Sequence, residues 1–188
     1  MVKMHQIAPL TRFKLPVAAA LALALGACAS MPTPMAARPA EPAAPYDPSA
    51  PPHIVAGVAP LQCVPFARRE SGVEIYGDAH TWWAQAAGRY PRSSSPAPGS
   101  VLVMRGYNNP NRGHVAVVTE VVSSRMIRID QANWLNHGET SLAVPVLDVS
   151  PGNDWSEVRV WYIPGRHWGG RVYQVEGFIH NFQLQAMN

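Results

Sequence analysis

Apolar and polar positions divide the 188-residue chain into stretches of different character. Residues 1 to 27 open with scattered polar positions and then run apolar from Leu15 to Ala27. From Met31 to Pro52 the apolar residues are mostly Ala and Pro, and Pro32, Pro34, Pro39, Pro42, Pro45, Pro48, Pro51 and Pro52 break every possible helix or central strand. Such a stretch is either a semi-rigid tether or an unstructured leader; as polyproline II, at about 3.1 Å per residue, it would reach on the order of 60 Å. Beyond His53 the periodicity becomes that of a folded domain. Gln62 to Arg69 predicts a helix start, with Pro65 in the first turn where its missing N–H does no harm. Asp78 is placed to cap a second helix over Ala79 to Ala87, and Trp82 and Trp83 on it lie about 100° apart, so only one can be fully in the core. After the Ser/Pro/Gly stretch from Ser93 to Ser100 the period changes to that of strands: Val101 to Met104, His114 to Val122, Arg125 to Asp130 and Val158 to Tyr162. Two helices followed by a mostly antiparallel sheet, with no internal repeat, predict one α+β domain over residues 53–188.

Composition changes this picture at the amino terminus. Lys3, Arg12 and Lys14 precede the apolar run, which ends in Leu25-Gly26-Ala27-Cys28. A basic start, a short apolar run and small residues make residues 1–27 a secretory signal; the run falls short of the roughly 20 residues a membrane-spanning helix needs. Leu25-Gly26-Ala27-Cys28 resembles the lipobox of bacterial lipoproteins. That resemblance implies cleavage before Cys28, lipid attachment there, a lipid-anchored tether over residues 28–52 and, with Ala29 after the cysteine, a periplasmic protein at the outer membrane. The formal charge of +3 is carried by three basic and no acidic residues within 1–27, so the mature chain is near neutral (3 minus 3). The sequence pI of about 9.1 therefore gives no support to nucleic-acid binding. No HExxH, CxxC pair, Walker or GxGxxG motif is present, so no metal or cofactor is expected.

Once Cys28 is accounted for, Cys63 is an unpaired thiol in a chain addressed to an oxidising compartment. A Cys28–Cys63 disulfide is the remaining alternative, which lipidation of Cys28 would exclude. A thiol of ordinary pKa is only a few per cent thiolate at pH 7, so a nucleophilic cysteine needs a helix amino terminus, a histidine partner, or both. The predicted helix start offers the first, and the backbone N–H of Cys63 and the side chain of Gln62 are candidates for holding an oxyanion. Of seven histidines, His114 stands at the head of the apolar strand Val115-Ala116-Val117-Val118, partly desolvated and rigidly aimed, which suits a general base. Taken alone it would more often be a core or edge histidine; the cysteine reverses that preference.

Gln62-Cys63, Pro98-Gly99-Ser100-Val101-Leu102-Val103, Gly113-His114-Val115-Ala116-Val117-Val118 and Ile127-Arg128-Ile129-Asp130-Gln131-Ala132-Asn133-Trp134 follow one another in the order of a CHAP domain, which they resemble over about residues 60 to 135. The resemblance implies a papain-like α+β fold and a cysteine, histidine-dependent amidohydrolase or peptidase, related to the NlpC/P60 enzymes, acting on peptidoglycan. On it Cys63 is the nucleophile and His114 the base. The third member departs from the family, which commonly has Glu where this chain has Gln131. Asp130 is ranked first as the group that orients the imidazole, Asn133 second and Gln131 third. Strand parity turns Asp130 away from the other two unless a bulge intervenes, and its plain alternative is a strand-end turn residue. Trp134 is a candidate apolar wall for substrate, with core packing as its alternative. A second functional class, a non-catalytic wall-binding or scaffold lipoprotein on the same fold, draws its support from the missing Glu.

Overall fold

The computed structural model describes residues 49–182, apart from 57 and 136. The expected signal segment, Cys28 and the expected tether before residue 49 lie outside the described residues. The chain forms β1 (His53–Ile54), α1 (Cys63–Ser71), a 3-10 turn (Ala79–Thr81), α2 (Trp82–Gln85), β2 (Arg92–Ser93), β3 (Val101–Arg105), β4 (Gly113–Ser123), β5 (Met126–Ala132), β6 (Thr140–Asp148), β7 (Glu157–Tyr162), β8 (His167–Trp168) and β9 (Tyr173–Ile179).

The expected antiparallel strands are present, and they close on themselves. β3 pairs with β4, β4 with β5, β5 with β6, β6 with β7, β7 with β9 and β9 again with β3, a closed antiparallel ring. Closure removes the unpaired edges an open sheet would leave. Alternation along the strands then sorts side chains into two cores. Leu102, Met104, Ala116, Val118, Ile127, Ile129 and Phe178 fill the inside of the ring. Val101, Val103, Val115 and Val117 point outward and are covered by Ala67 of α1 and by Ala79, Trp82 and Ala86. β4 is thus buried on both faces over its first half, which explains its continuous apolar run.

The second helix is shorter than its pattern predicts. Residues 79–81 form a 3-10 turn, α2 has only four residues, and the Asp78 side chain makes no capping bond; its carbonyl accepts from the Thr81 N–H and hydroxyl instead. Trp82 is fully buried, whereas Trp83 is half-buried beneath the Arg92 guanidinium, 4.6 Å from its ring. β6 is a strand that the apolar pattern does not announce. Pro145 interrupts its sequence and Ala143 has a φ of 54°, yet it pairs with β5 along one edge and, along the other, with β1 through Ser141 and Leu142 and with β7 from Val146 onward, so on that second edge Pro145 stands in the gap between β1 and β7.

The entry to α1 is fixed from the other side of the molecule. The Leu61 N–H donates to the Gly138 carbonyl at 2.7 Å, and Gly138, at φ +93°, lies so close to Pro60 that a Cβ there would stand 2.7 Å from it. No helix among the described residues is long and apolar enough to cross a membrane.

Candidate active site

Cys63 is the first residue of α1, with Gln62 before it in an extended conformation. The first N–H groups of a helix have no partner within it, so they face whatever lies at its start. The amides of Val115, Val64 and Cys63 all favour the thiolate, but burial outweighs them and pushes the thiol up from its ordinary value. Among the described residues Cys63 has no disulfide partner.

His114, the second residue of β4, has the parity of Ala116 and Val118 and so faces the inside of the ring at its end. Gln131 of β5 shares the face of Ile127 and Ile129, fully buried. The two meet there: His114 Nε2 and Gln131 Oε1 are 2.9 Å apart. An amide oxygen only accepts, so Nε2 carries the proton and Nδ1 is left as the acceptor. Burial lowers the His114 pKa from 6.5 to about 4, against the raising effect of the Gln131 bond. Cys63 and His114 line one cleft of about 370 Å3 together with Gln62 and Asn133. Among the described residues no hydrogen bond joins the sulfur to the imidazole, and both groups are held toward their neutral forms.

This geometry brings Gln131, and not the first-ranked Asp130, to the imidazole. Asp130 sits at an irregularity in the pairing of β5 with β6, and its Oδ1 accepts the Ala143 N–H at 2.8 Å. Its carboxylate stitches the bulge to the next strand instead of reaching the imidazole, and burial raises its pKa against that bond. The bulge does not reverse the parity of β5 at this point: Gln131 keeps the inward face and Asp130 does not. Asn133, at φ 59°, lines the cleft without bonding to His114; its Nδ2 donates to Gln62 Oε1 at 2.6 Å. That bond turns the Gln62 amide so that its NH2 end remains a donor. Trp134 packs edge-on against His114, ring centroids 4.8 Å apart, and against Tyr173 at 4.9 Å, so it braces the imidazole as well as lining a neighbouring cavity.

Two further residues of the cleft are not signalled by any motif. His80, in the 3-10 turn, lines it, its buried Nδ1 without a partner among the described residues, and Arg112, just before β4, lines it too. His80 comes this close because Gly113 has no side chain: a Cβ there would lie 2.8 Å from the His80 amide nitrogen. The Gly113-His114 pair is therefore its one trace in the sequence. Among the described residues no group of three or more His, Cys, Asp or Glu side chains is arranged to hold a metal.

The family model of the CHAP domain matches residues 55–133, a span that holds α1 and the strands carrying His114 and Gln131, while β6 to β9 complete the ring beyond it. Among curated proteins, none matches the chain.

Proposed function

Starting from a chain that carries a CHAP domain over residues 55–133, and hence from an amidase or peptidase-type hydrolase of the cell wall, we propose that it cleaves amide bonds in the peptide part of peptidoglycan through a thioacyl intermediate on Cys63. The observation that carries this reading is the shared cleft, with a helix-start cysteine on one wall and, on the other, a histidine whose Nε2 is held by Gln131. The arrangement is papain-like in kind, with Gln131 as the amide that orients the ring.

In this mechanism the thiol passes its proton to His114 Nδ1 as it attacks the substrate carbonyl. Because burial favours a neutral thiol and a neutral imidazole, transfer accompanies attack and does not precede it. The Cys63 N–H and the Gln62 NH2 end receive the oxyanion. Imidazolium His114 then protonates the leaving amine, and Gln131 Oε1 holds its Nε2–H throughout. Water, deprotonated by His114, releases the acyl group and restores the thiol. The amino-terminal segments fit a secreted protein cleaved before Cys28, lipidated there and carried on its tether in the periplasm, at the outer membrane.

The test is digestion of purified sacculi, with the products identified by mass spectrometry. Cys63→Ala should lower release of muropeptides by on the order of a thousandfold or more while the melting temperature stays near that of the wild type. Retained release in that variant would rule the mechanism out. The neutral Gln131 and the absence of a bond between Cys63 and His114 favour a second reading, a wall-binding lipoprotein without activity. For that reading, wild type and Cys63→Ala would sediment equally with sacculi and neither would release products.

A further inference from the structure

The cleft does not end at Cys63 and His114. His80 and Arg112 line it and also line a larger cavity of about 610 Å3, so the two adjoin at these side chains, and the larger one forms an arm beside the reacting groups. We propose that this arm is a subsite for a carboxylate-bearing peptide, with Arg112 as the side chain that binds the carboxylate; the proposal rests on the amide-hydrolase reading above.

Charge bookkeeping along the arm points to an anion. Arg105 and Glu176 both line it but cancel each other in a two-pronged pair, Nε to Oε1 at 2.6 Å and the second nitrogen to Oε2 at 3.1 Å. Arg112 is exposed, and among the described residues no ion pair neutralises it. Asp78 lines the catalytic cleft but not the arm. The net charge offered to a ligand in the arm is therefore positive. A second cation stands at its rim: the Arg171 guanidinium lies 4.9 Å from the ring centroid of Tyr107, which lines the arm.

The wall beneath these cations is stiff. Tyr107 meets Tyr173 edge-on at 5.8 Å, Tyr173 meets Trp134 at 4.9 Å, and Trp134 meets His114 at 4.8 Å, an unbroken aromatic run from the arm to the proposed base. A ligand seated on Tyr107 is thus registered against the reacting groups. At the junction, the His80 Nδ1 is buried and, among the described residues, without a hydrogen-bond partner, which costs stability. The volume lies in the range of pockets that take a drug-sized ligand, about that of a dipeptide. A guanidinium fits a carboxylate in two-pronged fashion, where a lysine would act only as a point charge.

The experiment measures protection of Cys63 in the full chain from iodoacetamide, read by peptide mass spectrometry so that Cys28 does not interfere. The probes are N-acetyl-L-alanyl-D-glutamate and the same dipeptide with both carboxylates amidated. The dicarboxylate should half-protect wild type at a concentration about tenfold lower than the diamide; Arg112→Gln should erase that difference and Arg112→Lys should keep part of it. Equal protection by the two dipeptides in wild type, or a preference undiminished in Arg112→Gln, would overturn the subsite. Digestion of sacculi by the same wild-type preparation separates the two ideas. A carboxylate preference without digestion keeps the subsite and sinks the hydrolase reading. Digestion without a preference does the reverse.

Discussion

The imidazole of His114 is buried, and its polar contact is the Gln131 carbonyl oxygen. A carboxylate in that place would stabilise the imidazolium; a neutral amide orients the ring but adds no charge, so burial prevails and the pKa falls to about 4. The sign of the consequence follows from linkage. Between the unfolded value of 6.5 and the folded value of about 4, the unfolded chain binds the extra proton, so stability falls as pH falls. From pH 7 to pH 5 His114 should remove about 2 kcal/mol from the free energy of unfolding. Gln131→Glu places a charge beside the ring, raises its pKa, and should shrink or reverse that loss. Urea titrations of wild type and variant at both pH values check this; equal losses in the two would mean that Gln131 does not control the ring. The sequence names His114, Asp130, Asn133 and Gln131 as candidates but does not show which one touches the ring, because the charge of Asp130 favours it while the pairing of β5 turns Gln131 inward.

At the scale of elements, the position of Cys63 depends on segments distant in sequence. α1 begins where it does because Leu61 is hydrogen-bonded to Gly138 in the loop between β5 and β6, and because Asn133 of the same loop holds Gln62. Gly138 at φ +93° is strained for any side chain, and a Cβ there would also press on Pro60. Gly138→Ala should destabilise the fold by about 1–3 kcal/mol and lower sacculus digestion further than the fraction unfolded explains, since the step before the nucleophile is displaced. Thermal melts paired with digestion rates at a temperature well below the transition measure both parts; unchanged digestion would show that the loop does not position Cys63. The helix start was legible from Gln62 to Arg69 because Pro65 and the apolar spacing mark it locally. β6 was not legible, because Pro145 and the left-handed Ala143 disguise a strand whose pairing depends on three neighbours.

Across the molecule, ring closure makes the interior one core, so a cavity anywhere in it should weaken the entire ring. Phe178 is fully buried, reaches across to Trp155 at 6.0 Å and pairs from β9 with both β3 and β2. Phe178→Ala should cost about 3–5 kcal/mol, and loss of near-UV dichroism and loss of activity should coincide in one transition. Leu135→Ala, at a residue 66% exposed, should change stability by no more than about 0.5 kcal/mol; a large effect there would contradict the assignment of the core. By itself the sequence determined the α+β order and the apolar faces of β3 to β5 and named Cys63 and His114 as candidates, because helix starts, strand periods and rare reactive side chains are written in neighbouring residues. Tertiary structure alone decided that the sheet closes, that Gln131 and not Asp130 meets the imidazole, and that His80 and Arg112 join the cleft. Those outcomes depend on which strand pairs with which and where a bulge or a missing Cβ lets two segments meet, and such distances are set by packing between residues far apart in the chain.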